Sequence, residues 1–176
     1  MNGFNVGEAG HVVNMLPAVS TSSGKTTLPV SMANYEHLSI IISYGSVAAQ
    51  PTSFIVRQAT TEAIGASKAI PFRFYLQATG GAGNDTLTGP FYADTTGITS
   101  SLPATAPLPA ACSNLVWVIE IDAAELEVQA AVVGTITEYP YVYVVIADGT
   151  NANIGSVIGI LSGARYAYKG SPSATV

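Results

Sequence analysis

Apolar and polar residues alternate along several short segments of this chain, and this pattern limits the fold more than any other feature. Successive side chains of a β-strand point to opposite faces, so a period of two indicates a strand with one buried face. Such strands are predicted at residues 38–44, 52–59, 70–77, 115–122 and 156–166. The side chains expected to face the core include Leu38, Ile40, Ile42, Tyr44, Phe54, Val56, Ile70, Phe72, Phe74, Leu76, Leu115, Trp117, Ile119 and Ile121.

Residues 139–148 form a sixth predicted strand that is apolar on both faces. We expect it to be covered twice, as a central strand between layers or at a subunit contact. Gly159 and Gly163 lie inside the last strand and predict bulges or close backbone approach. Helical periodicity is absent apart from a turn near residues 123–126. The sequence therefore predicts an all-β fold, an antiparallel β-sandwich for which the jelly roll is one candidate topology.

The length of 176 residues suits one domain. Residues 1–30 are rich in Gly, Asn, Ser and Thr and lack periodicity, so they are predicted to form an extended N-terminal arm. Residues 31–170 are assigned to a single β-sandwich domain and residues 171–176 to a short flexible tail. Residues 95–119 carry no charge and include three prolines, which predicts a functional or partner-contacting surface loop that runs into the next strand.

Charge is scarce in this chain. Charged residues make up 10% of it, against roughly 25% in an average soluble domain, so much of the surface must be uncharged. The six Lys and Arg residues, within a net charge of −5, provide no basic stripe for nucleic acid. No apolar run reaches 18 residues, so no membrane span is predicted. Cys112 is the only cysteine, which excludes an intrachain disulfide.

Two glycine-rich motifs resemble ligand-binding loops but lack their context. The sequence SGKT at 23–26 matches the end of a phosphate-binding loop, but Val19 stands where that motif needs glycine. The sequence GGAGNDTLT at 80–88 matches one nonapeptide of calcium-binding β-helix repeats. Those repeats bind calcium only when they stack, so a connection between strands is the favoured interpretation.

Four acidic residues, Glu120, Asp122, Glu125 and Glu127, lie within eight positions. A hydrolase pair or a cation site would use such carboxylates, but neighbours on one strand are more often a solvated or partner-facing patch. His11 and His37 have no ligand spacing around them and are interpreted as structural or surface residues. We therefore predict no catalytic, cofactor-binding or metal-binding residue, and a protein that is not an enzyme.

Several short segments together resemble a family of small virion proteins of tailed bacteriophages. They are VVNMLP at 12–17, SMANYEH at 31–37, VRQAT at 56–60, GASKAI at 65–70, EIDAAEL at 120–126 and ARY at 164–166. The resemblance implies a head decoration, or cement, protein that is made in the bacterial cytoplasm and binds the outside of a shell of major capsid protein. It further implies a homotrimer with no catalysis, and the arm and the 95–111 segment become candidate capsid contacts.

Two other functions remain open on the residues alone. A carbohydrate-binding or receptor-binding adhesin would present exposed aromatic side chains, which Tyr139, Tyr141, Tyr143, Tyr166 and Tyr168 could supply. A small hydrolase built on the acidic residues at 120–127 is the weakest alternative, since nothing in the sequence supports a particular reaction.

Overall fold

The computed structural model describes residues 10–45, 53–77, 87–99, 115–126, 128–130, 136–147 and 153–164. The strands are β1 (Gly10–Ser20), β2 (Lys25–Thr26), β3 (Val30–Ser31), β4 (Tyr35–Tyr44), β5 (Ser53–Ala59), β6 (Ser67–Ala69), β7 (Phe72–Gln77), β8 (Leu87–Ala93), β9 (Ile98–Thr99), β10 (Val116–Asp122), β11 (Val128–Ala130), β12 (Ile136–Glu138), β13 (Tyr141–Ala147) and β14 (Ile154–Ala164). A 3₁₀ turn, η1 (Ala123–Glu125), follows β10. In this part of the chain, no helix has the length and apolar character to cross a membrane.

The strands form two main antiparallel sheets. Sheet 1 has the order β1-β14-β4-β10-β7-β8, and sheet 2 has the order β2-β13-β5-β6, with β3 also paired to β13 and β9 to β5. The strands pair from the two ends of the chain inwards, and successive pairs belong alternately to sheet 1 and sheet 2. The pairs, from the outermost inwards, are β1 with β14, β2 and β3 with β13, β4 with β10, and β5 with β6. This nested arrangement is a jelly roll, extended in sheet 1 by the β7–β8 hairpin. The predicted all-β antiparallel sandwich is confirmed.

The core lies between the two sheets and contains the side chains that the alternation assigned to it. Trp117 of β10 meets Tyr44 and Phe54 edge to face, with ring centroids 5.9 Å and 5.2 Å away. This cluster joins sheet 1 to sheet 2, because Phe54 belongs to β5. All of the predicted inward residues are buried except Leu76, which is partly buried against the core. Burial of these side chains is the main term that stabilises the fold.

The N-terminal region differs from the prediction of an arm. Residues 10–20 form β1, an edge strand of sheet 1 that pairs with β14, and Met15 is completely buried. Register shifts between Asn14 and Leu16 and between Leu16 and Val19 interrupt the period of two, which is why the sequence showed no strand there. Residues 27–31 continue into sheet 2 beside β13. Residues 1–9 and the predicted tail at 171–176 lie outside the described residues.

Two further segments correct the sequence interpretation. β8 was not predicted, since its first four residues are exposed on an edge and show no buried alternation. Ile98 is fully buried in β9, so the charge-free segment 95–119 is not a surface loop at that point, whereas residues 100–114 lie outside the described part.

The prediction that both faces of the strand at residues 139–148 are covered is met in part. β13 is a central strand of sheet 2 whose inward residues are buried and whose outward Tyr143 is covered.

Gly159 leaves room in the core for the side chains of Met15 and Leu38, so the close neighbours of this glycine are side chains and not the backbone predicted from its position. A Cβ atom at Gly159 would lie 2.9 Å from the Sδ atom of Met15 and 3.3 Å from a methyl carbon of Leu38. Both neighbours are fully buried, so neither side chain can move into solvent.

Replacing Gly159 with alanine is expected to lower the free energy of unfolding by about 1–2 kcal/mol, because the added methyl group overpacks the core at Met15. Gly45→Ala is the matched control, since a Cβ there would be 3.9 Å from the nearest atom, the carbonyl oxygen of Ile154. Urea denaturation of both variants measures the difference. Equal stabilities would contradict the packing role of Gly159.

Candidate functional site

The outer face of sheet 1 carries two distinct surfaces. Residues at every second position of its strands point away from the core, and the strand register aligns them in rows. One row runs Asn14, Ile158, Ile41, Val118 and Tyr75, and the next runs Val12, Ile160, Ser39, Glu120, Arg73 and Tyr92. The first row contains no charged residue, whereas the second is apolar at β1 and β14 and charged at Glu120 of β10 and Arg73 of β7.

The first surface is the apolar patch, which we define as Val12, Ile41, Val118, Ile154, Ile158 and Ile160. Val12, Ile154 and Ile158 have exposed fractions of 54%, 53% and 39%. A shallow groove of about 350 Å³ runs along this patch between β1 and β14 and includes Pro17 and Ser156 in its lining. Ser156 separates Ile154 from Ile158 on this face of β14. Apolar side chains that are open to solvent on several neighbouring strands are typical of an interaction surface.

The second surface is the charged cluster, which we define as His37, Arg73, Glu120, Asp122 and Glu125. His37 of β4 lies between two carboxylates of β10. Its Nδ1 atom is 2.6 Å from Oδ1 of Asp122, and its Nε2 atom is 2.6 Å from Oε2 of Glu120. The hydroxyl of Ser39 donates a further hydrogen bond of 2.7 Å to Glu120. The imidazole therefore ties β4 to β10 at two points.

The charged cluster extends from Asp122 to β7 and to η1. Arg73 of β7 donates a short hydrogen bond from Nη2 to Oδ2 of Asp122, and the same nitrogen is 3.8 Å from Oε1 of Glu125. The backbone N–H of Asp122 donates to Oε2 of Glu125 at 3.2 Å, in a capping box that begins the 3₁₀ turn. Three strands and one turn are thereby connected by alternating charges.

The pKa values follow from this alternation. Partial burial lowers the pKa of His37, but the hydrogen bonds and charges of Asp122 and Glu120 raise it by more, so the net direction is upward. The hydrogen bond from His37 lowers the pKa of Asp122, and the charges of His37 and Arg73 act in the same direction. When this imidazole is protonated, it donates from both nitrogens to the two carboxylates and offers no lone pair to a substrate or a metal ion.

Sequence reasoning placed Glu120 and Asp122 on one strand face correctly but interpreted them as a solvated or partner-facing patch. The structure adds that both carboxylates are paired with His37, while their side chains remain 22% and 42% exposed. The histidine was not connected to them because it lies 83 and 85 residues away in sequence. Only the register of β4 against β10, which sets His37 opposite Asp122, brings them together.

A cleft of about 420 Å³ lies beside the charged cluster, where the β7–β8 hairpin approaches η1. Its lining residues are Pro71, Phe72, Arg73, Tyr92, Ala93, Asp94 and Glu125. Oδ1 of Asp94 accepts hydrogen bonds from the backbone N–H of Thr96 at 2.7 Å and from its hydroxyl at 2.5 Å. These bonds lower the pKa of Asp94 and hold its carboxylate in one orientation.

Other residues singled out in the sequence lie apart from this face. Lys25 follows a turn and enters β2, with no helix after it, so the SGKT sequence is not in a phosphate-binding context. Tyr139 and Tyr143 are buried near sheet 2, and only Tyr141 of the described candidate tyrosines is partly exposed. The other candidates, Cys112, Glu127, residues 80–86, Tyr166 and Tyr168, lie outside the described residues.

Within the ranges that the structure describes, no group of three or more His, Cys, Asp and Glu side chains is arranged to hold a metal ion. Comparison of the chain with protein-family models, with curated proteins and with solved structures found no match.

Proposed function

We propose that this protein is a structural component of a bacteriophage virion, a decoration or cement protein that binds the outer surface of the assembled head. Its partner is the major capsid protein, it acts as a homotrimer, and it performs no catalysis. The observation that carries this proposal is the apolar patch, which crosses β1, β14, β4 and β10 and is open to solvent at Val12, Ile154 and Ile158. The sequence resemblance supplies the capsid as the partner.

The chemistry of the apolar patch fits a protein contact. The centre of a protein–protein interface is depleted in charge, and so is this surface, whose nearest charged residues are already paired with one another. A trimer presents three such patches, so contacts that are weak singly add up through multivalency. A protein that binds only the assembled shell stabilises it by mass action and needs no turnover.

The charged cluster supports a structural role as well. Its histidine is engaged on both nitrogens, and its carboxylates are occupied by His37, Ser39 and Arg73. A general acid or base must exchange a proton with a substrate, which groups bound to each other in this way are poorly placed to do. A hydrolase built on Glu120 and Asp122 is therefore not favoured. The adhesin built on the tyrosines is not favoured either, because Tyr139 and Tyr143 are buried.

Immunogold electron microscopy of particles from the producing culture tests the proposal. Antibody against this chain is expected to label the whole head, with tails and background counted as controls. Label confined to tails or to one vertex would replace the decoration role with that of an adhesin or connector. Absence of label from particles would overturn the virion proposal.

A further inference from the structure

The cleft between the β7–β8 hairpin and η1 has the size and lining of a small-molecule site. Its volume of about 420 Å³ falls within the range of roughly 300–1,000 Å³ that ligand-binding clefts occupy. Most of the lining is apolar, with Phe72 and Ala93 at its base, and three charged side chains converge on it. It lies at the β8 edge of sheet 1, about 20 Å from β14 at the usual strand spacing and two strands beyond Val118 of β10, the nearest residue of the apolar patch.

Tyr92 gives this cleft an exposed aromatic face. The residue is 70% exposed, the largest value among the large apolar residues of the described chain. Pro71, which lines the same cleft, is also exposed. An aromatic ring left in solvent next to a cleft offers an apolar surface on which a flat ligand can stack.

The polar side chains of the cleft are held in place by partners outside it. Arg73 is fixed by Asp122, which is itself bound by His37, and Glu125 is fixed by the backbone N–H of Asp122. Asp94 is fixed by Thr96 through Oδ1. Polar groups ordered in advance lose little conformational entropy when a ligand binds.

The cleft still offers a hydrogen-bond donor and a hydrogen-bond acceptor to a ligand. Among the described residues, Thr96 bonds only one of the two carboxylate oxygens of Asp94, which leaves the other as an acceptor. Arg73 lines the cleft with a side chain that is 36% exposed and supplies the donor. The carboxylates of Asp94 and Glu125 disfavour an anionic ligand, and the guanidinium of Arg73 offsets part of their attraction for a cationic one. A neutral ligand that carries several hydroxyl groups and one apolar face satisfies donors, acceptors and the aromatic ring together.

We propose that this cleft is a binding site for a neutral carbohydrate, in which one sugar ring stacks on Tyr92 while its hydroxyl groups bond Arg73, Asp94 and Glu125. The site is separate from the proposed capsid contact and does not rest on it. Binding is measured on the purified full chain without phage heads, so its failure and the failure of the decoration role are distinguishable.

Saturation-transfer NMR with the methyl glycosides of glucose, galactose, mannose and N-acetylglucosamine tests this site. At least one glycoside is expected to bind saturably, with transfer strongest to the C–H groups of one ring face. Tyr92→Ala is expected to weaken binding about tenfold, which corresponds to the loss of one aromatic stacking contact. Tyr92→Trp, which keeps an aromatic face, is expected to retain binding.

Tyr141→Ala is the matched control, because Tyr141 is a partly exposed tyrosine on sheet 2 and should leave the affinity unchanged. Amide spectra of each variant establish that the fold is intact, as expected for a side chain as exposed as Tyr92. The proposal is overturned if no glycoside in the panel binds, if Tyr92→Ala binds as well as the parent protein, or if methylguanidinium or acetate binds this cleft more tightly than every glycoside.

Discussion

Replacing Ile158 with glutamate is expected to weaken binding of the protein to phage heads by at least about 100-fold. Ile158 lies in the apolar patch between Asn14 and Ile41, so contact with the capsid would bury the new carboxylate without a partner. Burial of an unpaired charge costs several kcal/mol, and about 2.7 kcal/mol already corresponds to a factor of 100. In a trimer the loss applies at three contacts.

Co-sedimentation of the purified protein with heads that lack it measures this effect. Leu28→Glu is the matched control, because Leu28 is 64% exposed and lies between β2 and β3, outside the apolar patch. Both variants are expected to keep the stability of the parent protein, since substitutions at exposed sites usually change it by less than about 0.5 kcal/mol. Undiminished binding by Ile158→Glu, or an equal loss in Leu28→Glu, would contradict the assignment of this patch.

The fold was predictable where each strand follows a strict alternation along its length. β4, β7 and β10 bury one face and leave the other mostly half-buried, as does the middle of β5. The inward residues of these strands were identified correctly from the sequence. β1 was missed because two register shifts change which face its residues occupy. β8 was missed because it is an edge strand whose first residues contact no core. Apolar and polar residues alternate along a strand when one of its faces is buried and the other is not. The alternation is lost where a bulge shifts residues to the other face, or where an edge strand buries neither face.

For the charged cluster, the sequence predicted which carboxylates share a face but did not predict their partner. Alternation showed that Glu120 and Asp122 leave the core on the same side, as the structure has them. His37 is their neighbour on that face because β4 pairs with β10, although His37 and Glu120 are more than 80 residues apart in sequence. The spacing of residues within one strand does not predict which strand pairs with it or in which register. The position of His37 between the two carboxylates therefore could not be predicted without the order of the strands in the sheet.

Replacing His37 with alanine is expected to lower the free energy of unfolding by about 2–3 kcal/mol near pH 5.5. The substitution removes two charge-assisted hydrogen bonds and leaves the carboxylates of Glu120 and Asp122 facing each other across the gap. Such bonds contribute about 1.5–3 kcal/mol each when buried. The side chain of His37 is 29% exposed, so solvent screening reduces the sum.

This stabilisation depends on pH with a definite sign. The pKa of His37 is raised in the folded protein, so its contribution is complete below the unfolded value of about 6.5 and is lost as pH rises through the folded value. The pKa of Asp122 is lowered, so its contribution is complete above the unfolded value of about 3.8 and is lost as pH falls through the folded value. The two contributions are complete together between about pH 4 and 6.5.

Urea denaturation of the parent protein and of His37→Ala across this range and up to about pH 9 measures the profile. The difference in stability is expected to be largest at mildly acid pH and to shrink as the medium becomes alkaline. His11→Ala is the control, because the His11 ring packs 6.2 Å from Tyr35 and contacts no carboxylate among the described residues.

A constant difference between pH 5 and 9 would contradict the charged pairing and assign His37 to packing alone. The direction in which stability changes with pH shows which of two opposing effects on the pKa of His37 is larger, the desolvation by burial or the attraction of the two carboxylates. Burial by itself would lower the pKa of His37 and make the folded protein more stable as pH rises. Stability that falls through the same range would therefore show that Glu120 and Asp122 outweigh desolvation, and that sheet 1 is tied together at this point by charge.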